Sequence, residues 1–321
     1  MYYPYFFGRQ SELLALRDVA IQLAAEMAVA PVIEPVREDP ASLILTIRDH
    51  LQPAGLGVYL IENPVLGQFE NASEAARDWL EEVAGLFASP VVRPTFLASP
   101  HSTLEEFREF ARRYEGRSIG IVLRNSAISP EDLAAASRPF GENRRFFLTG
   151  GTPMNSTLRT LGVGRCVRIE DRFETQPRNA AYTGTEPFTD AHLNFAENGY
   201  AGFGDYTVLA GVYSEGGGPP GAIAIHLTFM KRDSREIFVE HFVSDTTEAA
   251  IRDNNLKFRE AIAKIPPAVA RPADSFGLTA GTNRYLNAAN GGAALPTLPG
   301  NKRWAIAHHI DLISGVIRER F

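Results

Sequence analysis

The first half of the chain repeats a short apolar run that ends in a polar residue, first as Pro31-Val32-Ile33-Glu34 and then as Gly57-Val58-Tyr59-Leu60-Ile61-Glu62. Four more runs of this kind follow, at residues 91–97, 119–124, 145–149 and 166–171. Strands that alternate with helical segments predict βαβ units and a parallel sheet, and continuous apolar runs indicate strands that are buried on both faces.

Helix-start signals lie between these runs. Asn71 and Ser102 are each followed three residues later by Glu, which is the spacing of a capping box. Ser129-Pro130 places a proline at the first position of a helix, where its missing N–H is not needed. A further helix is predicted from about residue 9 to residue 28, before the first of the apolar runs.

Beyond Asp171 the pattern changes, because residues 173–199 are polar and irregular. We expect the seventh and eighth strands of the sheet at 200–205 and 222–229. Residues 237–243 are predicted to form an extra strand, paired with 222–229 in a hairpin. Helices are predicted at about 246–264, 273–289 and 302–320.

Eight strand–helix units predict an α/β fold: a (β/α)8 TIM-like barrel with an extra hairpin strand and additional C-terminal helices. An open doubly wound sheet is the alternative, but no GxGxxG motif follows the first strand. We expect a single domain over 1–321, with 1–28 as an N-terminal helical cap and 246–321 as helices that close the barrel. The aromatic opening, Tyr2 to Phe7, is expected to plug the core or the bottom of the sheet.

Composition excludes several classes of function. The 321 residues are 45% hydrophobic and 22% charged, with a net charge of −6, so nothing draws the chain generally to nucleic acid or an anionic membrane. Cys166 is the only cysteine, which rules out an internal disulfide and a thiolate metal cluster. No run approaches 18 apolar residues. We expect a cytoplasmic protein that does not use a membrane.

Polar residues follow or interrupt the predicted strands, and ligands of such sheets collect at the carboxyl ends of the strands. We expect His226, Asp205, Asp171 and Glu34 to be catalytic, with His226 as acid or base. Carboxylate oxygens also suit a divalent metal, which is a possible cofactor here. The predicted ligands of that metal are Glu62, Asp171 and Asp205. Arg124 and Asn63 are predicted to contact the ligand of the protein.

Each of these residues also has a purely structural interpretation. Glu34 and Glu62 could pair with Arg37, Arg93 or Arg124 in a structural ring of ion pairs. His226 lies in an apolar strand, where a core histidine with satisfied hydrogen bonds is the commoner outcome. If the strands of His226 and His241 pair, the two imidazoles could approach each other closely, but the register is open.

Two loops offer ligand contacts. Gly216 and Gly217 follow the predicted seventh strand, in a position where barrels often bind phosphate through backbone N–H groups. The neighbouring Pro219 and Pro220 lack that donor, so a flexible or closing loop is the alternative. Arg178 lies in the long polar loop and is a candidate anion contact.

Several segments carry a resemblance to a known family. They include the opening from Tyr3 to Arg9, the run Gly202-Phe203-Gly204-Asp205-Tyr206, the segment from Tyr213 to Pro219, and the end of the predicted hairpin from His241 to Asp245. In these segments the chain resembles the "beta protein" group of bacteria and phages. The resemblance implies a setting in mobile elements or in antiviral defence, and it assigns no catalytic residue.

Two functions are therefore expected. The first is a barrel protein that binds an anionic small molecule or nucleic acid at its mouth and hydrolyses a phosphodiester. The second is a recognition or assembly module without catalysis, which senses a phage component or binds a protein partner or a second copy of the chain. The fold by itself does not choose between them.

Overall fold

A computed structural model describes residues 1–150, 152, 154–214 and 220–321 of the chain. In this part of the chain, eight strands form one parallel sheet and four form an antiparallel sheet. The parallel sheet contains β1 (Tyr5–Phe6), β2 (Val32–Ile33), β3 (Val58–Ile61), β4 (Val92–Ala98), β5 (Ile119–Leu123), β6 (Arg144–Leu148), β7 (Cys166–Glu170) and β9 (Gly202–Asp205). The antiparallel sheet contains β8 (Thr185–Thr189), β10 (Ala224–Lys231), β11 (Ile237–Val243) and β12 (Asp274–Ser275).

Helices cover the outside of both sheets. They are α1 (Gln10–Glu26), α2 (Ala41–Thr46), α3 (Gln52–Ala54), α4 (Ser73–Val83), α5 (Leu104–Arg113), α6 (Pro130–Ala136), α7 (Met154–Leu161), α8 (Ala191–Asn194), α9 (Asn254–Ala263), α10 (Ile265–Val269), α11 (Ala280–Ala289) and α12 (Leu298–Ile317). A π-helical turn, Ile47–Leu51, joins α2 to α3. Ser129 caps α6 as expected, whereas the cap of α5 is Thr103 with Glu106, one residue later than the sequence suggested.

The parallel sheet curves into a TIM-like barrel, so the expected fold class is confirmed. Its first strand is the aromatic N-terminal segment, which pairs with β2 on one side. On the other side Tyr2 bridges to Phe203, and the Tyr3 N–H donates to the Phe203 carbonyl at 2.9 Å. Residues 1–6 therefore occupy the gap between β2 and β9 and join the two ends of the sheet.

The number of barrel strands is eight as expected, but one strand was assigned to the wrong segment. Residues 222–229 are not the eighth barrel strand, because β10 pairs in antiparallel fashion with β11 and β12 in the second sheet. The N-terminal segment is itself a barrel strand whose aromatic side chains fill the core, so 1–28 supplies a barrel strand as well as helix α1. The hairpin of β10 and β11 is confirmed.

Aromatic side chains fill the barrel interior. Tyr3, Tyr5 and Phe7 point inward, because alternate residues of a strand face the same side. Tyr59 and Phe147 meet Tyr3 from the opposite wall, with ring centroids 6.0 and 5.4 Å from its own. Burying each such ring contributes roughly 1.5–3 kcal/mol. The interior is thus a packed core, open only at its ends.

The second sheet is covered on both faces, by α12 on one and by the segment around Phe276 on the other. Its β10 contacts α12 on one face, while Phe229 stacks on Phe276 on the other, with centroids 4.8 Å apart. Helix α12 is buried along most of its length, and Arg303 and Arg284 both pair with Asp18 of α1 at 2.5 Å. Within the described residues, no helix combines the length and apolarity that crossing a bilayer requires.

Barrel closure requires a glycine at position 204, because β9 passes very close to the backbone of Tyr3 there. A Cβ there would lie 2.1 Å from the Tyr3 carbonyl oxygen and 2.5 Å from Ile169 Cδ1. We expect Gly204→Ala to lower the free energy of unfolding by about 1–3 kcal/mol, since overpacking forces the closing strand away from β9. Denaturation in urea measures this loss. The matched control is Gly85→Ala, where a Cβ meets nothing within 4 Å; equal stability of both variants would contradict the closure described here.

Candidate functional site at the barrel mouth

The carboxyl ends of the barrel strands surround a cleft of about 460 Å³. Its walls come from the ends of β5, β6 and β7 and from the segment after β9. The lining residues are Arg124, Asn125, Thr149, Gly150, Arg168, Ile169, Glu170, Asp171, Arg172, Tyr206, Gly211 and Val212. The cleft therefore occupies the end of the barrel where sites of this fold are built.

A buried ion pair lies beside this cleft. Arg124 Nη1 donates to Glu34 Oε1 at 3.0 Å, and its Nη2 also contacts the other oxygen of that carboxylate. The Tyr5 hydroxyl donates to Glu34 Oε2 at 2.6 Å, and Arg124 Nη2 donates to the same hydroxyl at 2.7 Å. Burial lowers the pKa of Arg124, but Tyr5 and Glu34 outweigh it and raise that pKa above its usual value. Of the expected alternatives for Glu34, pairing with Arg124 is the one that the structure shows.

Tyr206 forms the aromatic wall of the cleft. Its ring stacks on Phe7, with centroids 5.8 Å apart, and lies 5.1 Å from the ring of Tyr5. The next residue, Thr207, has a φ of +59°, which is costly for a β-branched side chain. The Asp205 carboxylate accepts the Thr207 N–H at 2.8 Å and stabilises this turn. Local strain of this kind is concentrated at functional sites, and here it fixes the position of Tyr206.

Asp171 stands at the rim of the cleft and is partly exposed to solvent. Partial burial raises the pKa of Asp171, although the backbone N–H groups of Gly211 and Phe173 donate to its carboxylate and oppose the rise. Beside it, Glu170 is shared by two guanidinium groups, Arg168 at 2.7 Å and Arg172 at 2.5 Å. Together with Asp171, this wall carries two guanidinium groups and two carboxylates, and both guanidinium groups are held at Glu170.

Glu62 and Asn63 do not reach the cleft. Ile61 points into the barrel, so Glu62 faces the helix layer, where it is buried against α5. Its carboxylate accepts the Tyr114 hydroxyl at 2.7 Å and pairs with Arg113 at 3.0 Å. The Asn63 amide bonds both the N–H and the carbonyl of Leu97, at 2.8 and 2.9 Å. Both side chains hold β3 to its neighbours.

Asp205 also lies outside the barrel. It accepts the Tyr2 hydroxyl at 2.7 Å and lies 3.3 Å from His309 Nε2, while His309 Nδ1 contacts the Thr228 hydroxyl at 3.0 Å. The order Asp–His–Thr is that of a nucleophilic triad. All three side chains are almost wholly buried, however, so no substrate reaches Thr228. The network instead connects β9 to α12 and to the second sheet.

His226 belongs to the second sheet, away from the barrel interior. It lies directly opposite His241, and the two Nδ1 atoms are 2.7 Å apart. The rings of Phe173 and Tyr182 cover the pair. Burial, with a smaller contribution from His241, lowers the pKa of His226 to about 3. One nitrogen donates to the other, so the two imidazoles form a neutral hydrogen-bonded pair.

The expected metal ligands are therefore dispersed over three environments: Glu62 lies under α5, Asp205 under α12 and Asp171 at the mouth. Nowhere in the described ranges do three His, Cys, Asp or Glu side chains converge as a metal ligand set would. Arg178 is exposed in a loop whose next residue, Asn179, bonds the Ala222 carbonyl, and it is not among the residues lining the cleft. Gly216 and Gly217 lie outside the described residues.

The structure adds residues that the sequence did not single out. Tyr206, Arg168 and Arg172 line the mouth, and Tyr5 lies behind Tyr206 with its hydroxyl on Glu34. The alternation of Tyr3, Tyr5 and Phe7 was a usable signal, because it is the pattern of a strand with one aromatic face. Nothing local marks Tyr206, since its position depends on the turn at Thr207.

Comparison of the chain with models of known protein families, and with curated proteins, finds no match. The resemblance to the beta protein group stays a prediction.

The buried ion pair can be tested by removing its cation. Arg124→Met leaves Glu34 buried without a counter-ion, so we expect the free energy of unfolding to fall by about 3–5 kcal/mol. Adding Glu34→Gln should recover most of this loss, because no buried charge is then unpaired. Urea denaturation compares the two variants with Arg168→Met, an exposed control. A double variant no more stable than Arg124→Met would refute this coupling.

The histidine pair predicts a pH dependence of stability. His226 stays neutral in the folded protein down to about pH 3, whereas a histidine in the unfolded chain gains a proton near pH 6.5. The unfolded state therefore binds more protons below pH 6.5, and stability falls as the pH falls from about 6.5 to 3. We expect His226→Gln to flatten this dependence, measured as Tm at several pH values. The exposed control His101→Gln should keep the wild-type slope, and an unchanged slope in His226→Gln would contradict the assignment.

Proposed function

We propose that the protein binds a small anionic ligand of the phosphoester class in the mouth cleft and hydrolyses it with Asp171 as general base. The observation that carries the proposal is the pair of guanidinium groups, Arg168 and Arg172, that line the cleft beside Asp171. Guanidinium groups suit phosphoryl oxygens because they present paired N–H donors. An anion at this wall would place its ester bond near the Asp171 carboxylate.

Cleft size and overall charge support a small ligand over a nucleic acid. A volume of about 460 Å³ lies within the range of small-molecule sites. The net charge of −6 disfavours association with a long polyanion, whereas a single phosphoryl group needs only the two guanidinium groups of the cleft wall. Tyr206 offers a ring against which the organic part of such a ligand can pack.

Asp171 would act in two proton transfers. Its carboxylate accepts a proton from water as the water oxygen forms a bond to phosphorus and the bond from phosphorus to the leaving oxygen breaks. Asp171 then releases this proton to solvent and the leaving alkoxide takes one from solvent water, so that water and ester give phosphate and alcohol. The raised pKa of Asp171 brings it closer to the operating pH, which favours both transfers. The proposed steps use no metal ion, because the expected metal ligands Glu62, Asp171 and Asp205 lie in three separate environments.

The second candidate is a recognition module without catalysis, in the defence or mobile-element setting that the sequence resemblance implies. One observation favours it: Glu34, the inward-facing carboxylate beside the cleft, is held by Arg124 and Tyr5 and has no free oxygen for chemistry. In that case the cleft would bind a ligand and leave it unchanged.

Two substitutions separate these functions. With a panel of nucleotides and sugar phosphates, we expect Asp171→Asn to keep ligand binding but to lower phosphate release by about a hundredfold or more. Arg172→Gln should weaken binding about tenfold, since a charge-assisted hydrogen bond is lost. Thermal shift measures binding, and a phosphate assay measures turnover.

Arg165→Gln is the matched control, because Arg165 pairs with Glu142 away from the cleft lining. Binding without any phosphate release would leave the recognition module as the function. If no member of the panel shifts Tm, or if Arg172→Gln and Arg165→Gln behave alike, the anion site at the mouth is wrong.

A further inference from the structure

The amino-terminal end of the barrel, opposite the mouth, holds two inward-facing arginines. Arg93 lies in β4 on the same face as Leu97, and Arg145 lies in β6 on the same face as Phe147, both of which are interior residues. Arg93 is paired in register with Tyr59, whose ring lies 5.0 Å from its guanidinium carbon. Arg145 Nη1 donates to the Gly164 carbonyl, just before β7. Both guanidinium groups therefore lie at the lower opening of the barrel.

The strand between these arginines carries no side chain at the level of Arg145. Gly120 of β5 is the register partner of Arg145 on one side and of Thr95 on the other. A Cβ at Gly120 would lie 2.6 Å from Thr95 Oγ1 and 2.7 Å from Tyr59. At the rim, a Cβ at Gly57 would lie 2.9 Å from Arg93 Nη2. These two glycines leave the space that the arginines and tyrosines of this opening occupy.

No carboxylate balances this charge. In the described ranges, neither Arg93 nor Arg145 takes part in an ion pair, unlike Arg124 at the mouth. Glu142 lies at this rim and is largely exposed. Its carboxylate pairs with Arg165, which lowers the pKa of Glu142 more than the distant charge of Arg145 does. The contacts that Arg93 and Arg145 do make, to a ring and to a carbonyl, are to neutral groups.

One buried donor at this opening lacks a partner among the described residues, and it lies beside a buried tyrosine. Arg145 Nε is buried and has no hydrogen-bond partner. The Tyr3 hydroxyl lies beside the same guanidinium; burial raises the pKa of Tyr3 to about 12, while Arg145 and Arg93 oppose the rise. A buried donor without a partner costs about 1–3 kcal/mol, and uncompensated buried charge costs more, so an arrangement of this kind is stable when an anion joins it.

We propose that the lower opening of the barrel is an anion site, in which Arg93, Arg145 and the Tyr3 hydroxyl bind a single phosphoryl-type oxyanion. The site is separate from the mouth, because its residues precede the barrel core along each strand whereas the mouth residues follow it. Three donors from three strands surround one tetrahedral group, which links β1, β4 and β6. Occupancy would therefore stabilise barrel closure as well as bind the ligand.

The test uses inorganic phosphate and the full chain. We expect phosphate to raise Tm beyond the effect of sodium chloride at equal ionic strength, and calorimetric titration to give a saturable affinity. Arg145→Gln should weaken this affinity about tenfold or more, and Arg93→Gln should do likewise. Without phosphate, both variants should be at least as stable as the wild type, since each removes one of two like charges. A fall in Tm without phosphate, with the phosphate shift retained, would mean that the arginines are structural.

Three further variants serve as controls. Two of them distinguish binding at the lower opening from binding at the mouth, and the third tests the role of charge. Arg165→Gln changes the same rim outside the site and should leave phosphate affinity unchanged. Arg172→Gln alters only the mouth and should leave the lower site intact, so failure of one site is separable from failure of the other. Arg145→Lys keeps the charge and should retain part of the affinity even where the glutamine variant folds poorly.

Glycerol phosphate, a phosphomonoester, tests whether the site binds the free phosphate ion or a phosphoryl group attached to a larger molecule. Equal shifts with phosphate and the ester indicate a site for a terminal phosphoryl group, and a shift with phosphate alone indicates a site for the free ion. No shift beyond that of sodium chloride, or full retention of the shift in Arg145→Gln, overturns the proposal.

Discussion

Closure of the barrel depends on one piece of backbone pairing, the insertion of residues 1–6 between β2 and β9. The Tyr3 N–H bonds the Phe203 carbonyl on one side, and the Val32 N–H bonds the Pro4 carbonyl on the other. Without this segment both strands would present unpaired N–H and C=O groups at exposed edges. The same insertion places the Tyr5 hydroxyl on Glu34. The segment that closes the sheet therefore also positions the buried ion pair beside the mouth.

The packed aromatic interior explains why the charged side chains of the barrel lie at its two ends. Tyr3, Tyr59 and Phe147 fill the middle of the barrel and leave no channel. Charge is then distributed around this core. At the mouth, Arg124 is neutralised by Glu34, and Arg168 and Arg172 share Glu170 at the outer wall. At the opposite end, Arg93 and Arg145 have no such counter-ion within the part of the chain that the structure describes.

Several features were predictable because they rest on local patterns. Continuous apolar runs predicted β3 to β7, and Glu34 and Arg124 were expected near one mouth because they end parallel strands. Predictions failed where orientation depends on strand parity or on pairing partners. Glu62 ends a strand as Glu34 does, yet it faces the helix layer, where Tyr114 and Arg113 satisfy it. His226 lies in an apolar strand like those of the barrel, but its partners assign it to the second sheet.

The sequence by itself determined the fold class, the position of most strands and the polar ends of those strands, because hydrophobic periodicity and helix-start signals act over a few residues. Only the tertiary structure decided which segment is the eighth barrel strand, since residues 1–6 and 222–229 are both apolar and the choice rests on hydrogen bonds to strands distant in the chain. It also decided which polar side chains meet. Asp205 and Tyr206 are neighbours in sequence, yet one faces α12 and the other the mouth, because β9 ends at Asp205 and the chain turns at Thr207.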